Sequence, residues 1–136
     1  MIKEGKMRET ILIAACLDKD RRNKLTRALL PLRIRLKEIS KEDYGKPIGF
    51  FAGIKELDPG ELAWNGEELS SELLVMAGLS SQRVDQVLRA IRKSGLSIPY
   101  KAVLTASNQG WNVWELFQEI KKEHQQMNEG RTPGTA

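Results

Sequence analysis

Two short apolar runs, Leu73-Leu74-Val75-Met76-Ala77 and Lys101-Ala102-Val103-Leu104, flank a helical pattern, and this arrangement restricts the chain more than any other feature. Gly78 and Ser80-Ser81 open the helical stretch and Ser94-Gly95 closes it. Strand, crossover helix and strand over so few residues make a βαβ unit, whose two strands run parallel. Val84, Val87, Leu88 and Ile91 recur at helical spacing over 81–94. Ser80 or Ser81 can cap that helix, and Gly95 stands where a left-handed residue ends one.

The first half of the chain repeats the plan. Ile11 to Leu17 is a continuous apolar run, which suits a strand covered on both faces. Asp18 can accept from free N–H groups at the start of the next helix. Leu25, Ala28, Leu29 and Leu32 form the stripe of that helix, and Pro31 marks its end or a late distortion. Residues 33–39 alternate, with Ile34 and Leu36 on one side and Arg33, Arg35 and Lys37 on the other. Strict alternation means one wet face, so this strand belongs at a sheet edge. Ser40 with Asp43 begins a short helix carrying Ile48, Phe50, Phe51 and Ile54, although Pro47 and three glycines weaken it.

Residues 55–72 form an acidic connector with turn signals at Asp58-Pro59-Gly60 and Asn65-Gly66. Leu62 and Leu69 are its expected anchors, and a helical turn is expected at 67–71. Beyond it, residues 111–126 are expected to form a last helix that turns Val113, Leu116, Phe117 and Ile120 inward.

Leu17-Asp18, Arg21, Arg27 and Ala28 align with Leu79-Ser80, Arg83, Arg89 and Ala90 at a constant separation. The expected fold class is therefore α/β: two βαβα halves, residues 10–54 and 73–127, in one domain spanning 1–127. They share a small four-stranded, mainly parallel sheet of order 2-1-3-4 with helices on both faces. The alternative is a two-layer α+β sandwich. Residues 128–136, rich in Gly, Pro and Thr, are expected to be a flexible tail.

Charge is distributed in blocks. Residues 1–41 hold twelve Lys/Arg against five Asp/Glu, whereas residues 42–75 hold two against eight. Such a chain is a weaker general polyanion binder than a uniformly basic one. No apolar run reaches the roughly 20 residues that cross a bilayer. With no signal peptide read at the N-terminus, a cytoplasmic protein with Cys16 as a reduced, buried strand residue is expected.

The chemistry tests exclude more than they assign. Neither phosphate-binding glycine motif occurs. One His and one Cys cannot build a zinc site, so no metal or cofactor is expected. His124 reads as a helix-end residue. Asp18 and Asp20 follow a strand as the acids of phospho-receiver domains do, but no acceptor Asp follows the strand that ends before Gly78. Lys101 reads as an edge lysine whose stem covers apolar surface.

Two surfaces stay open as binding candidates. The first joins Ser80 and Ser81 with Thr105, Ser107, Asn108 and Trp111, at the carboxyl ends of the second pair of strands, where open α/β sheets bind ligands. The second is the basic set Arg21, Arg22, Arg33, Arg35 and Lys37, which can meet nucleic-acid phosphates but lacks aromatic residues for base stacking.

From Glu72 onward, Leu73 to Ser80, Ile98 to Thr105, Asn108-Gln109-Gly110-Trp111 and Lys121-Lys122-Glu123-His124 resemble a bacterial family known as domain of unknown function 3783. The resemblance covers about half the chain, and Ala106 stands where the family pattern has proline. It implies a small cytoplasmic bacterial protein and brings no catalytic residue with it. The expectation is a non-catalytic interaction or small-ligand-binding module, with nucleic-acid binding by the basic face of residues 21–37 as the alternative. A protein partner or a homo-oligomer fits the first reading; a membrane fits neither.

Overall fold

A computed structural model describes residues 8–15, 18–60 and 63–130, with side chains up to residue 126. The expectations for Cys16, for Leu62 and for the tail beyond Gly130 lie outside the described residues.

Four strands form one sheet: β1 (Thr10–Ala14), β2 (Arg35–Ile39), β3 (Leu73–Ala77) and β4 (Tyr100–Val103), in the order β2-β1-β3-β4. The order agrees with expectation and the fold is α/β. β1 pairs with β2 in parallel and β3 with β4 in parallel, but the central pair β1–β3 is antiparallel, with Leu12 opposite Val75. The sheet is therefore mixed. Each βαβ crossover sets direction only within its own half. The connector between the halves is long enough to return the chain either way.

An antiparallel centre relates the halves by a local two-fold through the β1–β3 pair. Both central strands are buried along their whole length, as their uninterrupted apolar runs require. Ile11, Ile13, Leu74 and Met76 face the layer of α1 (Lys19–Leu29) and α3 (Ser81–Lys93). Leu12, Ala14, Leu73 and Val75 face the other layer, built from α2 (Ile48–Phe51) and α4 (Val113–Gly130). Helices on both faces exclude the two-layer alternative.

Local rules hold at most element ends. Asp18 Oδ1 accepts from Asp20 N–H at 2.8 Å, and Ser80 Oγ accepts from Arg83 N–H at 3.2 Å. Gly95 is left-handed after α3. Pro31 lies in a 3₁₀ turn over 30–32 that ends α1. Arg33 is left-handed after this turn, which delays β2 to Arg35.

Three expectations are corrected. The glycine-rich segment after Ser40 is a 3₁₀ turn at 41–43 and a four-residue helix rather than one longer helix. No helical turn forms at 67–71. The last helix runs to Gly130, four residues beyond the expected end, and starts from a reciprocal capping box. In that box Asn112 Oδ1 accepts from Glu115 N–H at 2.7 Å, and Glu115 Oε1 accepts from Asn112 N–H at 3.0 Å.

The local two-fold also gives the repeated arginines a role. Arg21 of α1 makes a forked contact with Glu72, just before β3, at distances down to 2.6 Å, and donates to the Ser97 carbonyl at 2.9 Å. Arg83 of α3 makes the same contact with Glu9, just before β1, at 2.8 and 2.9 Å, and donates to the Leu32 carbonyl at 2.6 Å. Each helix thus ties down the entry of the other half's central strand.

Candidate functional site

In each half, adjacent parallel strands send the chain to opposite faces of the sheet. After β1 it enters α1 on one face; after β2 it enters the turn at 41–43 and α2 on the other. Such divergence opens a crevice at the carboxyl ends of the strands, the usual ligand position of an open α/β sheet. The antiparallel centre puts the two crevices at opposite ends of the sheet.

The second-half crevice holds the first candidate set. Ser80 is occupied as the α3 cap, and Ser81 and Ser107 are exposed. Thr105 Oγ1 accepts from Asn108 N–H at 3.2 Å, and Asn108 Oδ1 accepts from Thr105 N–H at 2.9 Å. Asn108 Nδ2 donates to the Val103 carbonyl at 3.2 Å. The Asn108 amide therefore satisfies outward-facing main-chain groups beside β4, as a neighbouring strand would. The carbonyls of Gln109 and Trp111 receive N–H donors from Gly49 and Ile48 at 2.9 and 2.8 Å. A Cβ on Gly49 would lie 2.9 Å from the Gln109 carbonyl oxygen, so the close approach needs glycine. Trp111 is exposed, whereas Trp114 stacks on Trp64 with centroids 5.4 Å apart. The polar groups of this loop mostly hold the loop itself. Lys101 Nζ donates to the Ile98 carbonyl, and His124 packs edge-on against Tyr100.

The first-half crevice contains a cavity of about 260 Å³. Its floor is Ile13, Ala15 and Ile39; its walls carry Arg22, Glu38, Lys41 and Glu68. Arg22 pairs with Glu38 at 2.9 Å, and the Tyr44 hydroxyl donates to Glu68 at 2.5 Å. Ala15 is left-handed at φ 64°, the place that Gly78 takes at φ 75° in the other half. A non-glycine residue there stores about 1–2 kcal/mol of backbone strain, and such strain clusters at functional sites.

Burial, then the hydrogen bond to Glu68 and that carboxylate's charge, push the Tyr44 phenol well above its ordinary value of 10.0. The neutral form is therefore favoured in the folded state. Its stabilisation is complete below about pH 10 and declines as pH rises further. Tyr44→Phe should cost about 1 kcal/mol at pH 7 and show a smaller alkaline loss than wild type. Urea unfolding between neutral and strongly alkaline pH measures both effects, and equal alkaline slopes would contradict the assignment.

Sequence reading missed this cavity because its residues come from four separated segments. The repeat did not point to it either: its constant separation sets Ala15 against Ala77, and only the strand ends in the structure match Ala15 with Gly78.

The basic candidates are not gathered into one surface. Arg21 and Arg22 are ion-paired. Arg35 and Lys37 lie on the sheet face opposite α1, where Lys37 Nζ donates to the Phe51 carbonyl at 3.3 Å. Arg33 is exposed at the turn before β2. Among the described residues no cluster of His, Cys, Asp and Glu is placed to hold a metal ion, and no helix is long and apolar enough to cross a membrane.

Residues 72–127 match the model of a family described as a domain of unknown function (DUF3783). The match begins at Glu72, the partner of Arg21, and takes in β3, α3, β4 and most of α4. No curated protein and no solved structure matches the chain.

Proposed function

We propose, from the match of residues 72–127 to the DUF3783 family model, which names no activity, that the chain is a non-catalytic small-ligand-binding module. Its site is the crevice at the carboxyl ends of β1 and β2. The observation that carries this reading is a cavity at a chain-divergence point, walled by both signs of charge and floored by a left-handed alanine. The volume lies just below the roughly 300–1,000 Å³ of pockets for drug-sized ligands, which suits a small metabolite. Arg22 and Lys41 would take a carboxylate, and Glu38 and Glu68 an ammonium group, so the preferred ligand is a small zwitterion of amino-acid type. Ser80, Ser81, Thr105, Ser107, Asn108 and Trp111 form the pseudo-symmetric counterpart, a secondary position for the same reading.

Thermal-shift titration with a panel of free amino acids and their deaminated and decarboxylated analogues tests it. A zwitterion should raise the melting temperature while its singly charged analogues do not, and Lys41→Ala should abolish the rise. No stabilisation by any member of the panel, or a rise unaltered in Lys41→Ala and Glu38→Gln, would reject the site.

A further inference from the structure

The two edges of the sheet differ. At β4 the Asn108 amide occupies the Val103 carbonyl and the Thr105 N–H. At β2, among the described residues, no hydrogen bond from outside the sheet reaches the main chain of residues 35–39. The outward N–H and C=O groups of β2 are therefore an open template for another strand.

The surfaces on either side of that edge are unlike. On the α1 side a groove of about 420 Å³ is lined by Leu29, Leu30, Ile34 and Leu36 together with the paired Arg22 and Glu38. Leu30 is 70% exposed, the most exposed large apolar side chain among the described residues. On the other face Arg35 and Lys37 are exposed and have no carboxylate partner among the described residues. Side chains of an added strand alternate between these faces.

We infer that the β2 edge binds an extended partner segment in which apolar and acidic side chains alternate. The apolar set would lie beside Leu36 and Ile34 over the groove, and the acidic set beside Arg35 and Lys37. Main-chain hydrogen bonds would supply affinity and the alternation specificity, as in strand addition generally. A second copy of this chain pairing through its own β2 is disfavoured, because it brings Arg35 and Lys37 against the same cations. This site is separate from the ligand crevice apart from the Arg22–Glu38 pair, which stands between them.

The test uses a fluorescein-labelled octapeptide alternating Val and Glu, titrated with the full chain by anisotropy. The expected result is saturable binding, weaker by about tenfold or more for the Val/Lys octapeptide, because like charges meet across the pair. Arg35→Glu combined with Lys37→Glu should reverse that preference while leaving the melting temperature within a few degrees. Amide chemical-shift changes should centre on residues 34–38. A flat titration, equal binding of both peptides, or shifts elsewhere would overturn the inference. Displacement of the peptide by a short single-stranded oligonucleotide that binds more tightly would overturn it in favour of nucleic acid.

Discussion

Phe117→Ala should cost about 3–5 kcal/mol, the range for emptying a large aromatic site in a packed core. Phe117 is 1% exposed and sits where α4 meets the sheet. Its ring meets Tyr100 of β4 edge-on, with centroids 5.1 Å apart. Tyr100 in turn contacts His124 one helical stretch further along α4. Removing the Phe117 ring therefore leaves a cavity and loosens α4 from β4 together. Phe117→Leu retains most of the apolar volume and should cost clearly less. Urea unfolding followed by tryptophan fluorescence reads both, because Trp114 lies on the same helix. A loss below about 1 kcal/mol in the alanine variant would mean that α4 is not seated on the sheet as described, since emptied core sites cost more.

Removing the reciprocal clamps should destabilise, by about 2 kcal/mol for Arg21→Ala, as hydrogen bonds to charged groups do, and by less for Arg83→Ala. Each arginine also donates to a main-chain carbonyl that loses its partner in the variant. Partial exposure argues for the lower end on the Arg83 side, where Glu9 is 35% exposed, against 15% for Glu72. The clamps share no residue, so the double variant should be close to additive. The Arg21 loss alone is a sizeable part of the roughly 5–15 kcal/mol that holds a domain folded. The Arg83 hydrogen bond also holds the Glu9 carboxyl below its ordinary value of 4.5. That contribution is present above the ordinary value and is lost as pH falls through the lowered one, so Arg83→Ala should flatten the acid side of the stability profile. Chemical unfolding of the single and double variants across acidic to neutral pH decides this. A loss under about 0.5 kcal/mol for Arg21→Ala would reduce that clamp to an ordinary surface pair.

The fold was legible where local chemistry and burial point the same way. The uninterrupted apolar runs of β1 and β3 required two covered faces, the alternation of Ile34 to Lys37 required an edge, and Asp18, Ser80 and Gly95 marked helix ends. Strand direction at the centre was not legible. A parallel or an antiparallel β1–β3 pair buries the same Ile, Leu and Val side chains, so hydrophobic pattern does not distinguish them. The capping box at Asn112 and Glu115 was readable from its spacing and sets the start of the last helix.

The candidate residues divide in the same way. Asn108 was singled out for its polar side chain, but only its hydrogen bonds to Thr105 and Val103 show that it covers a strand edge. Arg21 and Arg83 were matched as a repeat, yet their partners Glu72 and Glu9 lie 51 and 74 residues away in sequence. By itself the amino-acid sequence determined the four strands, the long helices and the buried faces, because those follow from side-chain periodicity and from turn and cap chemistry within a few residues; the strand order followed from the doubly buried centre and the wet edge. Only the tertiary structure decided the antiparallel centre, the cross-half clamps, the cavity over Ala15 and the difference between the two edges. Each of these depends on which distant segments meet, and no local preference encodes that.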